Sequence, residues 1–134
     1  MNYYYYGYTP SLYTTNWYPE KTSPTIYNHP YRIEPRQIAL STDMSQVITQ
    51  EFNDGFTRHI WPNIEIVKPR EYVDFRLITP SNKNVISAGF GTNPVTNIFP
   101  IQITPLIDQK NVMVVMLHNQ SPDQTLVDLW VVTK

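Results

Sequence analysis

The chain has 134 residues, 16% of them charged, a formal net charge of −1 and no cysteine. That balance offers no basic field to nucleic acid or an anionic membrane surface, and the missing thiols exclude disulfide frameworks, cysteine catalysis and zinc–thiolate sites. No apolar run approaches the roughly 18 residues of a membrane-spanning helix, and the first residues lack the basic and apolar regions of a Sec-type signal peptide.

Residues 1–31 form one compositional region, expected to be an extended arm. They hold Tyr3, Tyr4, Tyr5, Tyr6, Tyr8, Tyr13, Tyr18, Tyr27 and Tyr31, nine of the ten tyrosines, together with Trp17. Prolines stand at 10, 19, 24 and 30, and Glu20 and Lys21 are the only charged side chains. Proline removes a backbone donor and fixes φ, so no helix of more than about two turns fits here. Polyproline-like or edge-strand conformation is expected instead.

Residues 32–134 read as a β-sandwich core. Short apolar runs predict strands over Gln37–Ser41, Gln46–Phe52 and Phe56–Trp61. Asn53-Asp54-Gly55 supplies a hairpin turn between the last two, because Asp-Gly tolerates positive φ. Met44–Phe52 is the one place where a short helix competes, with Ser41 or Thr42 as its N-cap. Asn63–Val67 and Tyr72–Thr79 alternate apolar with polar, the period-two pattern of a strand with one dry face. Further strands are expected over Val85–Ala88 and Asn97–Thr104. Val112–His118 is apolar on both faces and suits a central strand, and Thr125–Val132 closes the chain with Trp130 expected in the core. Prolines at 62, 69, 80, 94, 100, 105 and 122 fall close to the proposed strand ends, as the missing donor requires. The fold class expected is all-β, an antiparallel, jelly-roll-like β-sandwich.

The search for chemistry finds no catalytic set, no cofactor motif and no metal-ligand spacing. His29, His59 and His118 are too far apart in sequence to share a local site. Thr57–Trp61 could form a small patch around His59, although a solvated strand face with Trp61 turned inward explains it more simply. Asp74 and Arg76 share a strand face and suggest an ion pair. Gly89-Phe90-Gly91 lacks the third glycine and the helix of a phosphate loop, so a bulge or tight corner is expected. Asn119-Gln120-Ser121 fits the glycosylation pattern but reads as a turn before Pro122.

Function therefore turns on the arm. Ordering an extended backbone costs about 1–2 kcal/mol per residue, and ten aromatics in thirty-one residues do not supply that by burial alone. Pairing to a sheet edge or to another copy has to contribute the rest. The expectation is a non-enzymatic subunit whose arm joins copies into an open homo-polymer, with no nucleic-acid or membrane partner. Docking of the arm on its own sandwich, or a tail crosslinked through tyrosines, are the other readings. The opening Met-Asn-Tyr-Tyr-Tyr-Tyr-Gly-Tyr resembles the tyrosine-rich starts of small coat and outer-layer proteins of bacterial endospores. An arm ahead of a β-sandwich is also similar to endospore appendage subunits, although the connector cysteines of one appendage class are missing. This resemblance implies a structural role on the spore surface, release by mother-cell lysis, and an anchor protein as a further partner. Alternatives are a viral or phage capsid or tail subunit, and a carbohydrate-binding module with Trp17, Trp61 or Trp130 as stacking platforms.

Overall fold

The period-two segments become eight strands in the computed structural model, which describes residues 33–134. In chain order they are β1 (Arg36–Ser41), β2 (Ile48–Glu51), β3 (Thr57–Val67), β4 (Tyr72–Ile78), β5 (Val85–Asn93), β6 (Ile98–Leu106), β7 (Gln109–Asn119) and β8 (Thr125–Thr133). One sheet has the order β1-β4-β7-β6 and the other β2-β3-β8-β5. The expected β-sandwich is what forms.

Alternation decides which side chains fill the space between the sheets. Val73, Phe75 and Leu77 of β4, Met113, Val115 and Leu117 of β7, and Val127, Leu129 and Val131 of β8 pack together with Leu40, Trp61 and Val67. Each large side chain removed from water contributes about 1.5–3 kcal/mol. The Trp61 indole N–H donates to the Ser41 carbonyl at 3.2 Å, which ties β3 in one sheet to the end of β1 in the other. At the C-terminal end of β7, the buried Asn119 amide donates to the carbonyls of Val67, Lys68 and Asp123 at 3.2, 3.1 and 2.8 Å. Its oxygen accepts the Ser121 N–H at 2.9 Å. A side chain so enclosed and so fully bonded is a structural bracket, not an exposed glycosylation acceptor.

Several expectations are revised. β1 runs parallel to β4, a pair that a wholly antiparallel sandwich or jelly roll does not contain. Pro62 does not end a strand: β3 continues through it, with a register shift between Trp61 and Glu65. Asn63 takes φ 44 there, and its N–H is held by the Asp128 carboxylate at 2.6 Å. A bulge releases the ladder donor that proline lacks, so the two predicted strands fuse into one. Pro100 likewise lies inside β6. The 41–47 stretch makes two successive turns, Met44 N–H to Ser41 C=O and Val47 N–H to Met44 C=O, and the chain then enters β2. Asp54 and Gly55 do take positive φ, 63 and 82, where β2 turns back antiparallel onto β3.

Trp130 is not in the core. Leu129 and Val131 face inward and Trp130 lies half-buried on the outer face of β8, opposite Gly89 of β5. A Cβ at Gly89 would fall 2.4 Å from the Trp130 ring. The pairing of β5 with β8 runs without a shift through residues 89–91. Gly89 is therefore required by the ring lying against its backbone, and the expected bulge is absent there.

Candidate functional site

The ten aromatic residues singled out in the arm, Tyr3 to Tyr31 with Trp17, lie outside the described residues. What the structure does describe is the sandwich to which that arm is attached, and its four edge strands, β1, β6, β2 and β5.

The attachment point is clamped. Arg36, the first residue of β1, donates from Nε to Glu71 at 2.5 Å and from NH1 to Glu65 at 2.8 Å. Its NH2 reaches the Ile66 carbonyl at 3.0 Å. Glu65 and Ile66 belong to β3, whereas Glu71 directly precedes β4, so one guanidinium fork holds elements of both sheets. Both carboxylate hydrogen bonds raise the Arg36 pKa further above its already high value. Burial alone would push the Glu71 carboxyl up; the Arg36 hydrogen bond and the Lys68 backbone N–H outweigh it and hold the group below its ordinary value.

The opposite edge of the same sheet is unlike this. β6 pairs with β7 on one side and, among the described residues, has no strand on the other. Phe99, Ile101 and Ile103 are 44%, 46% and 40% exposed, and Val95 and Ile107 in the flanking loops are 93% and 97% exposed. No residue from Asn84 to Ile107 carries an ionisable side chain. Edge strands are ordinarily protected by charge, by proline or by a cover. β6 carries only prolines, Pro100 and Pro105, with Ile101–Thr104 between them. By contrast β1 has Arg36 and β2 has Glu51.

An aromatic row crosses the outer face beside this edge. Tyr72 of β4 stacks on His118 of β7 with ring centroids 3.8 Å apart and planes 3° from parallel. Phe99 of β6 is the next residue in register. His118, expected at a strand rim, thus belongs to a cross-strand stack that only the pairing of β4 with β7 reveals. The Asp74–Arg76 pair forms as expected, at 2.8 Å, but the Asp74 side chain is only 5% exposed. Arg76 has its pKa raised by the Asp74 hydrogen bond.

The Thr57–Trp61 patch does not form as a unit. Thr57, His59 and Trp61 are buried, while Arg58 and Ile60 alternate to the outer side. The correction concerns His59, which was expected on a solvated face. Its Nδ1 lies 3.3 Å from the Thr49 hydroxyl, and burial lowers its pKa from 6.5, against a smaller opposing pull from Glu51. Trp61, fully enclosed, cannot serve as a stacking platform for sugar. Among the described residues, no three His, Asp or Glu side chains converge on a point where a metal ion could sit.

No curated protein and no solved structure matches this chain. One family does, and its match covers residues 36–133, running from the Arg36 clamp at the start of β1 to the last residue of β8. The chain belongs to the YjdH family.

Proposed function

We propose that this YjdH-family chain is a non-enzymatic structural subunit that self-assembles through its N-terminal arm into a fibre or surface layer. The observation that carries the reading is the β6 edge: uncharged, unpaired on one side among the described residues, with Phe99, Ile101 and Ile103 exposed. Exposed apolar side chains on a sheet edge favour contact with another chain. The clamp at Arg36 is consistent with the same role, because it fixes the point from which the arm departs. The tyrosine-rich opening supports the endospore surface as the place of assembly.

Electron microscopy of the purified chain, with and without residues 2–30, tests the reading. Open polymers that disappear on deletion, leaving a folded monomer, support it. Polymers unchanged by the deletion overturn the role of the arm. Closed symmetric particles favour a viral or phage subunit.

A second reading keeps one observation. Trp130 lies on the outer face of the second sheet, against the Gly89 backbone, a placement open to sugar stacking. Glycan binding lost on Trp130→Ala, with assembly intact, would favour a carbohydrate-binding module.

A further inference from the structure

We infer that β6 is the acceptor for the arm of a second copy, which adds as a fifth strand beside Ile101–Thr104 and extends the β1-β4-β7-β6 sheet from one subunit into the next. This rests on the assembly reading above and names its surface.

Exposed apolar surface selects β6, and the composition of the arm supplies a matching segment. It is an edge strand with three exposed apolar side chains, whereas β5, the other uncharged edge, exposes only Ile86 in this class. Pro100 and Pro105 remove two backbone donors, so the backbone between them that keeps its donors is four residues long, with a register shift on β7 at Ile101, and a pairing segment must be proline-free and in extended form. Within the arm, Ser11–Tyr18 reads Ser-Leu-Tyr-Thr-Thr-Asn-Trp-Tyr, lies between Pro10 and Pro19 and carries no charge. Threonine, tyrosine and tryptophan favour strands, and Tyr13 and Trp17 fall on one face of such a strand. An uncharged donor on an uncharged acceptor leaves no ionic group to desolvate.

The topology favours a second copy over the same chain. The arm enters the sandwich at β1, while β6 is the far edge of the same four-stranded sheet, three strand spacings or about 14 Å away. A neighbour placed edge to edge presents its β6 where this chain's arm departs. Tyr18 precedes Arg36 by eighteen residues, a reach of about 60 Å when extended, which covers that neighbour and this chain's own β6 alike, so the choice rests on the edge-to-edge adjacency. Contact between unlike surfaces is heterologous and propagates into an open polymer unless its rotation closes.

Because the chain has no cysteine, single thiols report the contact in the full-length protein. An equal mixture of Tyr13→Cys and Gln102→Cys chains, oxidised after assembly, should yield a disulfide-linked heterodimer. A mixture of Tyr13→Cys with Ser87→Cys, on the β5 edge, should not. Ile103→Lys should keep its far-ultraviolet dichroism and move the onset of assembly to at least about tenfold higher concentration, whereas Ile86→Lys should leave onset unchanged. A disulfide between Tyr13→Cys and Ser87→Cys chains, in polymers that still depend on the arm, overturns β6 as acceptor and leaves the assembly reading standing. A rapid intramolecular disulfide in a dilute Tyr13→Cys/Gln102→Cys chain overturns docking between copies. A full-length chain that stays monomeric at every concentration overturns both.

Discussion

β6 and β7 are adjacent, antiparallel and both rich in apolar residues, yet one is enclosed and the other open. From Val112 to Val115, β7 is buried on both faces, while Phe99, Ile101 and Ile103 of β6 face solvent. Composition does not separate them; position does. β7 lies between β4 and β6, with the second sheet beneath it and Arg76, Tyr72 and Thr104 flanking its outer side chains. Among the described residues β6 has a neighbour on one side only. Where an apolar strand has this much unmet surface, stability alone gives no reason to keep it apolar, and the interaction surface proposed above would supply one.

That contrast can be tested by substitutions graded from the enclosed side to the open one. The largest effect is expected at Asn119, where β7 ends. Asn119→Ala takes the amide from the Val67, Lys68 and Asp123 carbonyls and from the Ser121 N–H, of which the Lys68 carbonyl keeps the Glu71 N–H, and should cost about 3 kcal/mol in urea unfolding. Arg36→Ala comes next. It strands Glu71 and Glu65 at the clamp, and since these groups are partly solvated, about 1–2 kcal/mol is expected. Arg36→Lys should recover only part of it, because an ammonium has no planar fork to reach Glu71, Glu65 and the Ile66 carbonyl from separate nitrogens.

A smaller effect is expected from pH. The folded His59 pKa lies below 6.5, so below that pH the unfolded chain takes up a proton that the folded chain resists. Stability is therefore complete above pH 6.5 and declines as pH falls from there toward the folded value. The Glu71 carboxyl, held below 4.5, adds stability present above 4.5 and lost as pH falls through its folded value. Melting temperatures should drop in two steps on acidification, and His59→Gln should remove the first. The smallest stability change belongs to the open strand: Ile103→Thr should shift unfolding by no more than about 0.5 kcal/mol while weakening assembly. A large destabilisation there would make β6 part of the core and erase the contrast with β7.

The strands were legible where alternation was strict. Val73, Phe75 and Leu77 announce the dry face of β4, and the doubly apolar Val112–Leu117 announces a central strand. Two features were hidden because they depend on partners distant in sequence. Trp130 reads as core material until Gly89, forty-one residues earlier, is seen to lie beneath its ring on the outer face. Pro62 reads as a terminator until the Asp128 carboxylate holds the bulge that carries β3 past it. The candidate surface was half legible: the strand over Asn97–Thr104 was expected, but its exposure depends on edge position, which no local pattern encodes. The clamp was missed for the same reason, since Arg36, Glu65 and Glu71 show no spacing that marks them as one group.

The clamp also has a mechanical meaning. Any pull on the chain ahead of Arg36 meets a guanidinium anchored at once to β3 and to the residue before β4. Tension is then divided between two sheets before it can peel the six paired residues of β1 from β4. A subunit linked to its neighbour through its first residues would carry load through its whole thickness, as a rivet does, and not through one seam.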